Sequence, residues 1–229
     1  MATISENLQQ LHQRITSACK AVDRPVQSVT LLAVSKTFPG DAVRAAHAAG
    51  EHRFGENYVQ EGLDKIAQLA DLRGRLEWHL IGPLQSNKTR AVAEAFDWVH
   101  SVDRLKIAER LSAQRPAGLP PLSVCLQVNI SGEASKSGCA VAELPALARA
   151  VAALPRLKLR GLMAIPEPAA DVAAQRLPHR ALARLLAELN TTQDLALDTL
   201  SMGMSADLEA AIAEGSTLVR VGTAIFGTR

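Results

Sequence analysis

A lysine stands at the end of a short apolar run near the start of the chain. Residues 29–35 read Val-Thr-Leu-Leu-Ala-Val-Ser, and Lys36 follows them directly. A run of this length predicts a strand buried on both faces, and α/β proteins place reactive side chains at the carboxyl ends of such strands. Desolvation there favours the neutral amine, which can attack a carbonyl carbon and form a Schiff base. Taken alone, the stretch favours an ordinary interpretation, in which Lys36 marks the strand end and reaches water.

An arginine inside the last apolar run is the second unusual residue. Arg220 lies within Leu-Val-Arg-Val-Gly at positions 218–222. A buried strand has little reason to carry a guanidinium, because desolvating that charge is unfavourable unless something binds it. A core arginine paired with a carboxylate explains Arg220 equally well.

Two loops near the C-terminus are rich in glycine and hydroxyl side chains. Residues 201–205 read Ser-Met-Gly-Met-Ser, and residues 222–227 read Gly-Thr-Ala-Ile-Phe-Gly. Small residues let backbone N–H groups approach a phosphate, and Ser201, Ser205 and Thr223 add hydroxyl donors. Either loop alone is ordinary turn chemistry. Both loops together with a strand-end lysine indicate an aldehyde cofactor with a phosphate tail, and pyridoxal 5'-phosphate (PLP) is that molecule.

The rest of the chain alternates strand and helix signals in eight units. The predicted strands are residues 29–36, 52–57, 77–82, 98–102, 122–130, 157–165, 199–204 and 217–222. The predicted helices between them are residues 40–49, 58–70, 84–96, 103–114, 142–153, 172–190 and 206–213, and an amphipathic helix over residues 5–20 precedes the first strand. Asp103 and Ser205 are the expected N-caps of the helices that follow them.

This alternation predicts an α/β protein, a single (β/α)8 TIM barrel that spans residues 1–229 and carries an extra N-terminal helix. A doubly wound open sheet is the alternative, but no GxGxxG follows the first strand. In a barrel the strand ends converge on one mouth, so the polar residues at those ends should lie together. The strand-end residues are Lys36, Asn57, His79, Asn129, Met163, Ser201 and Arg220.

Composition excludes several classes of protein. Hydrophobic residues make up 48% of the chain, the formal net charge is +2, and no apolar run is long enough to span a bilayer. The N-terminus has no secretion signal, and the three cysteines have neither CxxC nor zinc-ligand spacing, so we expect a cytoplasmic protein without a metal site. Scarce aromatic residues and little excess charge argue against nucleic acid as a partner.

Several motifs in combination resemble the YggS/PROSC family of PLP homeostasis proteins. The motifs are Leu32-Ala-Val-Ser-Lys36, Phe54-Gly-Glu-Asn-Tyr58, Trp78 to Lys88, Val128-Asn129 with Lys136 to Gly138, Gly161-Leu-Met163, Ser201 to Ser205 with Asp207, and Gly215 to Gly227. The resemblance covers nearly the whole chain, and it implies a barrel of the alanine racemase N-terminal type.

The same resemblance implies roles for individual residues. Lys36 would bind PLP as a Schiff base, and Arg220 would face the pyridine nitrogen. The residues implied to hold the phosphate are Ser201, Gly222 and Thr223, and those implied to line the ring pocket are Asn57 and Met163, with Met202 as a further cofactor contact.

The pattern favours a carrier over an enzyme. A guanidinium at the pyridine nitrogen keeps the ring unprotonated, and the ring is then a poor electron sink. A racemase would need a second acid/base, which related racemases take from an added β domain, and the only tyrosine, Tyr58, is expected to point outward. We therefore expect a non-catalytic protein that stores PLP or delivers it to apo-enzymes. The alternatives are a low-activity amino acid racemase or lyase with Lys36 as base, and a class I aldolase without a cofactor.

Two loop lysines and the oligomeric state are left open by the sequence. Lys88 and Lys136 lie near the predicted mouth and could attract a second phosphate or a client protein, although solvated loop lysines are the more common case. A monomer and a weak dimer are both compatible with the sequence.

Overall fold

Eight parallel strands close into a barrel, as the sequence predicts. The computed structural model describes residues 2–133 and 137–227. The strands pair in sequence order and the last pairs with the first, so that Leu32 lies opposite Arg220. In chain order the strands are β1 (Thr30–Val34), β2 (Arg53–Glu56), β3 (Glu77–Leu80), β4 (Trp98–Val102), β5 (Leu122–Gln127), β6 (Leu157–Met163), β7 (Thr199–Ser201) and β8 (Leu218–Val221).

Helices cover the outside of the barrel, and an additional helix precedes the first strand. The helices are α1 (Ile4–Lys20), α2 (Gly40–Ala48), α3 (Val59–Gln68), α4 (Thr89–Ala95), α5 (Leu105–Gln114), α6 (Leu144–Ala152), α7 (Val172–Gln193), α8 (Leu208–Ala213) and α9 (Thr223–Phe226). The additional helix, α1, buries Leu8, Leu11 and Ile15 and packs against α2, α8 and α9. It therefore covers the seam where the first and last strands meet. Within the described ranges, no helix is long and apolar enough to cross a membrane.

Strand side chains alternate between the shell of helices and the barrel interior. The larger core lies between strands and helices and includes Phe54 and Trp78. The interior holds two small apolar clusters, Leu32 with Val34, Ile81 and Leu218, and Trp98 with Cys125 and Met163. Buried polar side chains fill the remaining interior positions, among them His79, His100, Ser201 and Arg220.

Most predicted strands extend too far at their carboxyl ends, whereas β4 has the predicted bounds, Trp98–Val102. β1 ends at Val34 rather than Lys36, and β2 ends at Glu56 rather than Asn57. β7 ends at Ser201. Lys36 and Asn57 therefore belong to the loops that follow the strands, which is where TIM barrels carry their sites.

Both predicted N-caps are wrong. The N-cap of α5 is Arg104, and the carboxylate of Asp103 instead lies 2.8 Å from the Arg104 guanidinium. The N-cap of α8 is Asp207 rather than Ser205. Ser205 is thus not used to cap a helix, and it lies in the loop after β7.

Candidate functional site

A cavity of about 620 Å³ opens at the carboxyl ends of the strands, a size suited to a small organic ligand. Of the eight residues predicted to bind PLP, five line it, namely Lys36, Asn57, Arg220, Gly222 and Thr223. Ser205, a predicted hydroxyl donor to the phosphate, also lines it, and so do residues that the sequence did not assign to the cofactor, among them Phe38, Ile81, Ile165, Met204 and Ala206. The cavity lining therefore combines apolar side chains with polar groups.

Lys36 reaches the cavity from an exposed turn. It lies two residues after β1, and its side chain is exposed, so the predicted desolvation by the strand is wrong. In the part of the chain that the structure describes, its amine has neither a hydrogen bond nor an ion pair. The next residue, Thr37, has a φ of 69°, in the left-handed region that β-branched residues rarely adopt. Backbone strain beside an unengaged amine is typical of functional sites.

A buried lysine fixes the backbone on both sides of Lys36. Lys65 on α3 is only 4% exposed. Its Nζ donates to Ser35 O at 2.6 Å and to Glu56 Oε1 at 2.8 Å. Its third acceptor, Glu61 Oε1 at 2.8 Å, also accepts from the backbone N–H of the residue after Lys36. The turn is thus held by its neighbours, and the Lys36 side chain stays free.

Two carboxylates share the single ammonium of Lys65. Glu56 is fully buried, and burial raises its pKa, while hydrogen bonds from Lys65 and Ser35 lower it. Ser35 Oγ donates to Glu56 Oε1 at 2.6 Å, and Glu56 Oε2 is buried without a partner among the described residues. Lys65 is therefore the charge on which this turn depends.

Arg220 projects from β8 into the cavity although it is only 3% exposed. Its Nη1 donates to Ser201 O at 2.5 Å and to Ser201 Oγ at 2.8 Å, and its Nη2 donates to Ala164 O at 2.9 Å. These described partners are carbonyl and hydroxyl oxygens, unlike the carboxylate partner of an ordinary core arginine. Burial lowers the pKa of Arg220 to about 10, and the charge of Asp207 opposes that shift. The guanidinium is therefore protonated at neutral pH and offers donors only.

Asn57 and Gly222 give the cavity its polarity and its shape. Asn57 Oδ1 is buried without a hydrogen-bond partner among the described residues, so a ligand donor can satisfy it. Gly82 packs against the same residue so closely that a Cβ would lie 2.0 Å from Asn57 O. At Gly222 a Cβ would lie 2.9 Å from Val34 O. Glycine at 222 thus lets the turn after β8 lie against β1 beside the cavity.

Asp207 fixes the loop after β7. Its Oδ1 accepts from the Met204 N–H at 2.7 Å, and its Oδ2 lies 2.9 Å from Nε2 of the buried His179 on α7. Burial alone would raise the pKa of Asp207, but hydrogen bonds from His179 and Met204 lower it. The ionised carboxylate holds Met204, and with it Ser205, at the edge of the cavity.

Three of the predicted cofactor contacts do not line the cavity. Ser201 is fully buried behind Arg220, from which it accepts hydrogen bonds. Met163 packs with Trp98 in the barrel interior. Met202 packs in the core between strands and helices. All three lie in or beside strands, whereas the lining residues at the mouth come mainly from loops.

Two other strand-end residues also lie away from the cavity. His79 is buried in the barrel interior, where its Nδ1 lies 2.8 Å from Nε2 of His100. Asn129 lies in the loop after β5, and its Nδ2 donates to Glu133 O at 2.7 Å. Of the seven strand-end residues, the structure therefore brings three to the cavity, namely Lys36, Asn57 and Arg220, while Met163, Ser201, His79 and Asn129 lie away from it.

The remaining predicted side chains are on the surface or outside the described residues. Tyr58 is 60% exposed and does not line the cavity, as predicted. Lys88 is exposed and lies outside the cavity lining. Lys136 lies outside the described residues.

The sequence does not reveal the residues that support the site without lining the cavity. Glu61 and Lys65 have the i, i+4 spacing of a helix ion pair, and nothing in that spacing signals burial. His100 is a lone histidine in an apolar strand, and only the structure shows that it is hydrogen-bonded to His79 on the neighbouring strand β3. Ser205, in contrast, belongs to a loop whose glycine and hydroxyl groups already indicate a phosphate site.

The chain matches known proteins over its full length. The family model described as alanine racemase, N-terminal domain, matches residues 6–229. A pyridoxal phosphate homeostasis protein of Pseudomonas aeruginosa is 66% identical over 100% of this chain and 97% of that protein. A pyridoxal phosphate homeostasis protein of Escherichia coli (strain K12) is 57% identical over 100% of this chain and 98% of that protein.

Solved structures show the same relationship. PipY of Synechococcus elongatus PCC7942, solved with PLP bound, is 40% identical over 98% of this chain and 100% of that chain, with a TM-score of 0.86. Alanine racemase from Corynebacterium glutamicum is 18% identical over 99% of this chain and 61% of that chain, with a TM-score of 0.68. The second likeness shows the barrel fold alone.

Proposed function

Since the chain belongs to the family of pyridoxal phosphate homeostasis proteins, whose barrel is the alanine racemase N-terminal domain, we propose that it binds PLP in this cavity. Lys36 holds the cofactor as a Schiff base. The protein takes part in intracellular PLP homeostasis, storing the cofactor or delivering it to apo-enzymes in the cytoplasm.

One observation carries this proposal. A single cavity brings together an exposed amine without a partner, a buried guanidinium and an amide oxygen without a partner among the described residues. When bound, PLP supplies an aldehyde for a primary amine and a phosphate for N–H and hydroxyl donors. The donor and acceptor groups of the cavity fit that molecule.

The side chains of the cavity divide the work of binding. Lys36 gives the covalent attachment, and Arg220 presents guanidinium N–H groups toward the ring nitrogen. The backbone at Gly222 and the hydroxyls of Thr223 and Ser205 bind the phosphate. Each of these groups lines the cavity.

The described lining of the same cavity does not include the groups needed for rapid turnover. Arg220 keeps its proton at neutral pH, because even after burial its pKa is about 10. Tyr58, the single tyrosine in the sequence, is 60% exposed and lies outside the lining. Because the described lining residues include no second acid/base opposite Lys36, the protein acts as a carrier rather than a racemase or lyase.

Turnover assays test the carrier function. Purified holo-protein incubated with amino acids should racemise or consume them far more slowly than ordinary enzymes, which turn over about 1 to 1000 times per second. The same preparation should restore activity to an apo-enzyme that requires PLP. Racemisation or elimination at ordinary rates would instead establish the alternative, an enzyme that uses Lys36 as its base.

The Gly222→Ala substitution should weaken PLP binding at least about tenfold, equivalent to about 1.4 kcal/mol. The added Cβ lies 2.9 Å from Val34 O and 3.3 Å from Val34 Cβ, so the turn after β8 must move away from β1. Equilibrium titration of apo-protein with PLP measures the effect. Gly118→Ala is the matched control, because a Cβ there meets nothing within 4 Å. Equal affinities for the two variants would contradict the role of this turn.

We also propose that residues 1–229 act as one domain. Closure of the barrel through the β1–β8 pairing supports this, and so does the packing of α1 against α8 and α9. A monomer or weak dimer is the proposed state in solution. Light scattering across a concentration series tests this by measuring the molar mass.

A further inference from the structure

Polar side chains form a continuous hydrogen-bonded chain through the barrel interior. We call Glu77, His79, His100 and Ser201 the interior relay. Glu77 Oε1 lies 2.9 Å from Nε2 of His79, whose Nδ1 lies 2.8 Å from Nε2 of His100. His100 Nδ1 lies 2.8 Å from Ser201 Oγ. Ser201 Oγ accepts from Arg220 Nη1 at 2.8 Å, so the relay ends on the guanidinium that lines the cavity.

The chemistry of its two ends fixes every proton in the interior relay. The Glu77 carboxylate only accepts, so His79 carries its proton on Nε2 and accepts at Nδ1. His100 then donates from Nε2 to His79 and accepts at Nδ1 a hydrogen bond from the Ser201 hydroxyl. The Ser201 oxygen is left to accept from Arg220, which can only donate. Both ends therefore require the same assignment, with all donors directed from Arg220 toward Glu77.

The charge states at neutral pH agree with this assignment. Burial lowers the pKa of His100 well below its usual value, and the charge of Arg220 adds to that effect. Burial also lowers the pKa of His79, although Glu77 opposes the shift. Burial alone would raise the pKa of Glu77, but the hydrogen bond from His79 and the charge of Arg53 lower it. The relay is thus a carboxylate and two neutral imidazoles in one polarised chain.

The interior relay is not needed to fill the barrel. Other interior positions are apolar, for example Leu32 and Ile81, and apolar side chains in place of buried polar ones are often neutral or stabilising. Within the described part of the chain, its hydrogen bonds reach the cavity lining through Arg220. A buried polar chain that ends on a ligand-facing group points to a role in the site rather than in packing.

We propose that His79 and His100 are positioning residues for Arg220, acting through Ser201 to fix how its guanidinium presents donors to the ring of bound PLP. The Ser201 hydroxyl donates its hydrogen bond to His100, so the lone pairs of Ser201 Oγ are directed toward Arg220. Without that acceptor, the serine hydroxyl turns toward other oxygens and Arg220 loses a directed partner. The inference rests on the proposed function for the identity of the ligand, while the contacts that carry it belong to this chain alone.

Two substitutions at residue 100 separate positioning from packing. His100→Leu fills the space but removes the acceptor, whereas His100→Asn places an amide oxygen near the position of Nδ1. Val99→Ala is the control. Val99 precedes His100 in β4 and is fully buried, but it packs in the core between strands and helices instead of the barrel interior. All three variants lower the melting temperature, so stability alone does not distinguish them.

PLP titration and the visible absorption band of the holo-protein distinguish the variants. We expect His100→Leu to raise the Kd for PLP about tenfold and to shift the band, consistent with the loss of a hydrogen bond to a charged group. His100→Asn should stay within about threefold of wild type, and Val99→Ala should bind as wild type does. Wild-type affinity and band position in His100→Leu would overturn the proposal, as would an equal loss in Val99→Ala.

A second readout needs no cofactor. In apo-protein, hydrogen exchange of the Arg220 guanidinium protons, followed by NMR, should be about tenfold faster in His100→Leu and nearly unchanged in Val99→Ala. Unchanged exchange in His100→Leu would overturn the positioning role even if PLP binds. Faster exchange in a protein that does not bind PLP would instead contradict the proposed function and leave the connection to Arg220 established.

Discussion

The Lys36→Ala variant should fold normally and lose all covalently bound PLP. The Lys36 side chain is exposed and makes no hydrogen bond or ion pair in the described part of the chain, so its removal disturbs no packing. We expect its free energy of unfolding to stay within about 0.5 kcal/mol of wild type. The visible band of the Schiff base should disappear, because Lys36 is the only lysine among the described residues that line this cavity.

The control for this variant is Lys88→Ala. Lys88 is also exposed but does not line the cavity, so its substitution should preserve the band and the stoichiometry of bound PLP. Absorption spectra and thermal unfolding of the two variants give the comparison. A Lys36→Ala protein that retains the Schiff-base band would show that a different lysine holds the cofactor.

The Lys65→Met variant should show the largest loss of stability, about 3 to 5 kcal/mol at neutral pH. Lys65 is 4% exposed and is the only described cation bonded to both Glu56 and Glu61. Its removal leaves a fully buried carboxylate without an ion-pair partner. Urea unfolding measures the change, and Lys106→Met on the exposed face of α5 is the control, with an expected change within about 0.5 kcal/mol.

The pH dependence of this loss has a definite sign. Burial already raises the pKa of Glu56, and the loss of Lys65 raises it further. A carboxyl group with a raised folded-state pKa contributes its full stability below its unfolded pKa of about 4.3, and that contribution is lost as the pH rises through the folded value. The deficit of Lys65→Met should therefore be greatest near neutral pH and shrink in acid.

A double variant separates charge from packing. Glu56→Gln combined with Lys65→Met removes the uncompensated charge, so it should recover part of the stability at neutral pH and lose the pH dependence. A Lys65→Met deficit that does not change between neutral and acid pH would show that packing, and not the buried charge, dominates at this position.

The overall fold could be predicted from the sequence because the strand signals are strong. Apolar runs of parallel-strand type recur eight times with helical periodicity between them, and the closed barrel follows from that order. Lys36 and Arg220 could be selected because each is a charged residue in an apolar run. The glycines and hydroxyls of the two C-terminal loops could be selected because phosphate binding needs them together.

The exact strand ends could not be predicted, and the position of each site residue relative to the cavity depends on them. The sequence does not mark where the last ladder hydrogen bond lies, so it places Lys36 inside a strand when Lys36 lies in the loop after it. Without the exact strand end, the direction in which each nearby side chain points could not be predicted either. The sequence therefore predicts that Ser201 contacts the phosphate, whereas in the structure Ser201 is fully buried and accepts hydrogen bonds from Arg220.

The roles of buried polar side chains could not be predicted from the sequence either. Lys65 has the spacing of a surface ion pair, and His100 has no partner within its own strand. Both acquire their roles from residues on neighbouring elements, Lys65 from β1 and β2 and His100 from β3 and β7. Such roles depend on register between elements, and a single sequence does not give that register.

Peptide mapping of the wild-type protein after borohydride reduction tests the central claim most directly. Borohydride converts a Schiff base into a stable secondary amine, so the lysine that holds PLP keeps the pyridoxyl group through digestion. We predict one modified peptide, with the added mass on Lys36. A pyridoxyl group on another lysine, or its absence from protein that shows the visible band, would contradict the account.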